Sequence, residues 1–196
     1  MKKIEQVFRE ILYQAIERKN SKLTQLELSK NLNLSLSTIN LAIKKLEEIG
    51  AVKIEKMGFN VIAINKILYY WASFRKLNKG ITYQTRVEMP VREIERLLPN
   101  VILAAYSAYK LKFNDVPADY SEVYVYADQE ELDEIKKRFS KNNKIPNLFV
   151  LEKDQNIEKY SKTGTIAQIF VDLWNLKQWY AQDFINSLKK KISLED

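Results

Sequence analysis

The chain contains no histidine and no cysteine. That removes imidazole bases, Ser-His-Asp triads, disulfides and every His- or Cys-based zinc site in one step. Asp, Glu, Lys, Ser, Thr and Tyr remain for catalysis. A different grouping carries binding chemistry. Leu36, Ser37, Thr38, Asn40, Leu41, Lys44 and Lys45 crowd into ten residues, and Lys53, Lys56 and Asn60 follow closely. An asparagine amide can bind an adenine edge bidentately, and leucine can touch a thymine methyl. Ser37, Thr38 and Lys44 suit phosphate oxygens. These residues are equipped to read double-stranded DNA, with no cofactor required.

The surrounding residues explain how such a face is held. Thr24 and Glu27 have the spacing of a capping box, which starts a helix of about two turns. Leu26, Leu28 and Leu32 are expected on its buried side. The polar turn Asn31–Asn33 ends it, and Ser35 is a strong N-cap for a second helix. Ile39, Ile43, Leu46 and Ile49 recur at three- and four-residue steps, so one stripe is buried and the binding residues point away. Gly50 stands where the chain leaves the helix through the left-handed region. Val52 and Ile54, then Val61, Ile62 and Ile64, flank a Met57-Gly58 turn. This predicts a hairpin wing with Lys53, Lys56 and Asn60 near its tip. A helix over 3–19, with Ile4, Val7, Phe8, Ile11, Leu12, Ala15 and Ile16 inward, packs behind the pair. The order is that of a winged helix-turn-helix, whose second helix enters a major groove. Such modules also dock proteins, a use that exposed Leu36 and Leu41 would equally serve.

Charge bears on the choice. Residues 1–80 hold 15 Lys/Arg against 7 Asp/Glu, whereas residues 81–196 hold 17 against 18. The whole basic excess of the +7 chain thus lies with the helix-turn-helix, as a polyanion-binding module requires. No run approaches 18 apolar residues, so no membrane partner is expected, and the absence of cysteine fits a soluble, cytoplasmic protein.

After the wing, Asn65 is placed to cap a helix through Leu77, with Ile67, Leu68, Trp71, Phe74 and Leu77 on one side. Asn78 and Gly80 then form a polar break. The reading is a domain of residues 1–79 with a linker helix, followed by a domain of 80–196. The latter shows an extended run over 81–89, a helix over 91–98 and a buried helix over 101–111. A loop follows over 113–120, then a strand over 123–127, a helix over 129–139 and a strand over 147–152. Two closing helices over 165–176 and 179–192 complete it. The fold class is α+β, with a small mixed sheet in the second domain.

The helix LAAYSAYKL, the loop and the strand segment YSEVYVYAD resemble the core of nucleotidyltransferase-like domains. There a Gly-Ser turn and an Asp-x-Asp pair hold metal ions, because Mg²⁺ takes oxygen ligands. This sequence departs at both points. Ala104-Ala105-Tyr106-Ser107 lacks the glycine, and Tyr124 stands where an acidic partner of Glu122 would be. Asp128, at an extended spacing, falls about 20 Å from Glu122. The winged helix followed by such a domain, closing on DLWN (172–175) and WYAQDF (179–184), is similar to AbiEi-type antitoxins of type IV toxin–antitoxin systems. The resemblance implies a repressor of its own promoter and a toxin encoded by a neighbouring gene; the favoured reading is a sequence-specific repressor without enzyme activity, a homodimer on a palindromic or repeated site. The alternative is a nucleotide-binding regulator or nucleotidyltransferase-like enzyme using Glu122, Asp128 and nearby tyrosines.

Overall fold

The computed structural model describes residues 1–193; the last three positions of the 80–196 region lie outside the described residues. The chain divides into two compact units. The first holds Met1–Arg75 together with Thr165–Val171, and the second holds Lys76–Gly164 and the segment from Asp172 onward.

The first unit runs α1 (Lys3–Ile16), β1 (Lys22–Leu23), α2 (Gln25–Leu32), α3 (Leu36–Glu48), β2 (Val52–Glu55), β3 (Gly58–Val61) and α4 (Ile64–Phe74). Local chemistry fixes the helix ends. The Thr24 hydroxyl accepts from the Glu27 amide at 3.2 Å, while the Glu27 carboxylate accepts from the Thr24 amide at 3.2 Å. Asn33 closes α2 at φ 51°, and the Ser35 hydroxyl accepts from the Thr38 amide at 3.3 Å to open α3. Gly50, at φ 64°, ends α3: its amide donates to Glu47 O and the Ala51 amide to Leu46 O, each at 2.8 Å. These two bonds are a complete Schellman closure. Ile39, Ala42, Ile43 and Leu46 form the buried stripe of α3.

Several expectations are corrected here. Leu26 is exposed, because two buried leucines, Leu28 and Leu32, suffice to seat so short a helix. Ile49 is only half-buried at the helix end, and Ile62 is exposed beyond the wing. Ile64 begins α4 rather than extending a strand, and Ala63, not Asn65, is the N-cap. Leu77 lies beyond α4 in a 3₁₀ turn, Leu77–Gly80. The wing is a three-stranded antiparallel sheet of order β1-β3-β2, and the two-residue β1 was not expected.

Helix α1 is enclosed more completely than an amphipathic stripe requires: Glu5, Gln6, Arg9 and Glu10 are buried beside its apolar residues. The Glu5 carboxylate accepts from Trp71 Nε1 at 3.1 Å and from Arg75 Nη1 at 2.9 Å, which ties α1 to α4. Paired and hydrogen-bonded in this way, a buried carboxylate offsets its own desolvation. Thr165–Val171 also packs in this unit. The Ile166 amide donates to the Glu17 carboxylate at 2.8 Å, and Phe170 meets Tyr69 edge-on at 5.7 Å.

The second unit contains β4 (Ile81–Thr85), α5 (Val91–Leu97), β5 (Ile102–Ala104), α6 (Ala105–Phe113), β6 (Val123–Ala127), α7 (Gln129–Arg138) and β7 (Leu148–Glu152). Helix α8 (Ile166–Trp174) contributes its last residues to this unit, and α9 (Ala181–Lys191) closes it. The sheet is four-stranded in the order β4-β7-β6-β5. Strands β6 and β7 are parallel across the intervening α7, and the two outer pairs are antiparallel, so the sheet is small and mixed. Val123, Val125, Leu148 and Val150 on one face pack with Ile94, Leu132 and Ile135. The helix expected over 101–111 is instead β5 followed by α6. A short apolar run does not tell strand from helix, and here Ile102, Leu103 and Ala104 pair with Tyr126, Val125 and Tyr124. The junction turns at Ala105, which carries φ 48°.

Candidate nucleic-acid interface

The structure brings the α3 residues onto one outward face. Leu36 and Leu41 are about half exposed, at 50% and 54%, so neither is part of the core that seats the helix. Ser37 and Lys44 are exposed, and Thr38, Asn40 and Lys45 are half-buried beside them. At the N-terminus of α3 the hydroxyls of Ser37 and Thr38 lie 2.9 and 3.0 Å from that of Ser35. The first turn therefore offers hydroxyls and free helix-end amides together, a combination suited to a phosphate. The far end of α3 is held by Lys66, whose ammonium donates to Ile49 O at 3.0 Å.

The wing adds a second polar surface. Lys53 pairs with Asn60, and Asn60 pairs on its other side with Lys22, so the three side chains form a row across the sheet. Glu55 shares that face, and Leu23, Phe59 and Val61 fill the opposite one. Lys53 and Asn60 are thus both mid-strand and not near the hairpin tip, and the Asn60 Oδ1 is enclosed without a hydrogen-bond partner. Lys56 and Met57 occupy the tip. Gly58 has no substitute there, since a Cβ would lie 2.4 Å from the Leu23 carbonyl oxygen. Lys22 is the residue that sequence reasoning missed: a two-residue strand has no periodicity to detect, and only the pairing places it beside Asn60. Among the described residues, Lys22, Lys44, Lys45, Lys53 and Lys56 form no ion pair, so their charge is open to an external anion.

The acidic residues of the second unit are engaged differently. Glu122 accepts hydrogen bonds from the Tyr180 hydroxyl and from Ser121, the latter at 3.1 Å. Asp128 is the N-cap of α7, accepting from the Glu131 amide at 3.0 Å. That amide, with the Lys153 ammonium 3.1 Å away, holds the Asp128 carboxyl below its usual range. Lys153 sits within an acidic trio, 3.1 Å from Asp128, 2.9 Å from Glu131 and 2.5 Å from Glu158. Burial works against its charge, but these three partners outweigh that and raise its pKa. The ammonium occupies the place a metal cation would take among those carboxylates. Around Glu122, Tyr106 and Tyr124 are buried, and burial raises both phenol pKa values.

A family model described as winged helix-turn-helix DNA-binding matches residues 9–53. No curated protein and no solved structure matches the chain. The match runs from the middle of α1 to the start of β2, and the chain carries a winged helix-turn-helix DNA-binding domain there. No helix among the described residues is long and apolar enough to cross a membrane.

Proposed function

We propose that this protein is a sequence-specific transcriptional repressor that docks α3 in a major groove and lays the Lys22–Asn60–Lys53 face of its wing along the adjacent backbone. One observation carries the reading: the outward Asn40 and Lys44 side chains of a firmly capped α3, and the wing lysines Lys22 and Lys53, have no internal hydrogen-bond or ion-pair partner, within the region that matches a DNA-binding family. Asn40, Leu36 and Leu41 supply base contacts; Ser37, Thr38, Lys44 and Lys45 supply phosphate contacts. The similarity to AbiEi-type antitoxins extends the proposal to autoregulation, to action as a dimer on a repeated site, and to a toxin encoded nearby. The second unit then acts without enzyme activity. In support, Glu122 and Asp128 are committed to Tyr180 and to the cap of α7.

Fluorescence anisotropy with a duplex from upstream of the protein's own coding region, against a scrambled duplex, tests this. Specific binding is expected to be at least about a thousandfold tighter, with steep salt dependence. Equal affinity for both duplexes would overturn specific repression. No binding to either would remove the DNA reading and leave the module as a protein-docking unit.

A further inference from the structure

We propose that the cleft over β4 in the second unit binds a nucleotide-like anion, its planar ring stacked on Phe149 and its anionic group at Lys141. The geometry begins with a ladder of rings. Tyr124 and Phe149 are register partners on the parallel strands β6 and β7, with ring centroids 4.6 Å apart and planes within 8°. That spacing matches the distance between neighbouring strands, so the stack advances by one ring per strand. The next strand is β4, and the residue opposite Phe149 there is Gln84. The third position of the ladder therefore holds no ring. It opens instead into a cleft of about 510 Å³ at the free edge of β4, lined among others by Asn78, Tyr83, Gln84, Lys141 and Phe149, with Tyr83 and Lys141 reached around that edge from Gln84 and Phe149, within the size range of small-molecule sites.

The lining defines the ligand. Phe149 is half-buried while Leu148, Val150 and Leu151 of the same strand are fully covered, so an aromatic surface is left accessible at this point. The amides of Asn78 and Gln84 make no hydrogen bond among the described residues and can pair with the polar edge of a heterocycle. The Lys141 ammonium lies 5.6 Å from the centre of the Tyr83 ring and has no carboxylate partner among the described residues, leaving it to neutralise a phosphate. A stacking surface, two unpaired amides and one unpaired cation in a single cleft are the donor set for a base that carries a phosphate. The same chemistry is offered by a free mononucleotide and by an unstacked unit of single-stranded RNA.

Calorimetry on the full chain, without duplex DNA, distinguishes the two sources and tests the site. AMP, GMP, CMP and UMP are titrated in one arm and an eight-residue RNA in the other. Binding by a mononucleotide at least as tight as by the RNA identifies a free nucleotide, and markedly tighter binding of the RNA identifies a strand. Gln84→Trp places a ring in the vacant third position and is expected to weaken binding by roughly tenfold or more. Lys141→Ala is expected to weaken it about threefold and to lower its salt dependence. Unchanged melting temperatures would show that both variants are folded. Absence of binding by every probe, or affinity undiminished in Gln84→Trp, overturns the proposal. Either result leaves the DNA-binding reading of the first unit untouched.

Discussion

The lysines of the two units lead opposite lives. In the second unit several meet carboxylates: Lys110 pairs with Glu95 at 2.6 Å, Lys144 with Glu88 at 2.9 Å, and Lys153 is ringed by three acids. In the first unit Lys44, Lys53 and Lys56 stand in solvent without such partners, and the Glu5–Arg75 ion pair is buried at the seam of α1 and α4. The sequence already divides this way, since the basic excess is confined to residues 1–80. The difference teaches where charge is structural and where it is kept for a partner. An ammonium neutralised within its own fold has little left to offer a phosphate, whereas one held out on a rigid helix or wing keeps its full field.

This contrast can be broken by exchanging roles. Lys153→Ala is expected to cost about 2–3 kcal/mol of stability in denaturant unfolding, because it leaves three carboxylates facing one another, and to leave duplex affinity unchanged. A stable variant would show that the acidic trio needs no internal cation. The double change Lys44→Ala, Lys53→Ala should do the reverse. Stability shifts by less than about 0.5 kcal/mol, duplex affinity falls roughly tenfold or more, and the log–log salt slope flattens by about 1.8 if two phosphate contacts are lost. An unaltered slope would remove these lysines from the interface.

Smaller effects sharpen the same comparison. Ser35→Ala removes the cap of α3 and should cost about 1 kcal/mol, with weakened duplex binding as the N-terminal turn loosens. Binding that survives intact would mean that turn does not touch DNA. Asp128 predicts a pH effect. Its folded pKa is depressed by the Glu131 amide and Lys153, so its contribution is full above the unfolded value of about 4 and is lost as pH falls through the folded value. The stability gap between wild type and Asp128→Asn should therefore narrow in acid; a gap constant down to pH 2 would contradict the assignment. Last, Lys144→Ala breaks an exposed, solvent-screened pair with Glu88 and should leave the denaturant midpoint unchanged; a clear shift would show that surface pairs of the second unit also carry its stability.

Much of the first unit was legible because short-range chemistry specified it. Thr24 with Glu27, Ser35, Asn33 and Gly50 each satisfy helix-end groups from within a few residues, and the α3 stripe needs only helical spacing to be seen. The outward face of α3 follows by subtraction, so most of the candidate interface could be read before any coordinates. Strands β6 and β7 were similarly plain from their β-branched and aromatic content.

What escaped were decisions made between distant parts of the chain. The sequence alone determined the capped helix-turn-helix, the concentration of basic charge on it, and the exclusion of imidazole and thiol chemistry. The tertiary structure decided that Ile102–Ala104 is a strand, since that depends on pairing with β6, and that Thr165–Val171 packs in the first unit. It also set Lys22 beside Asn60, moved Asn60 from the wing tip to mid-strand, and opened the slot above Gln84 next to Phe149. The physical reason is common to all of these. Capping and amphipathic periodicity act over a few residues and leave a mark in composition, whereas strand pairing and side-chain stacking join residues far apart in the chain and are fixed only when the sheet assembles.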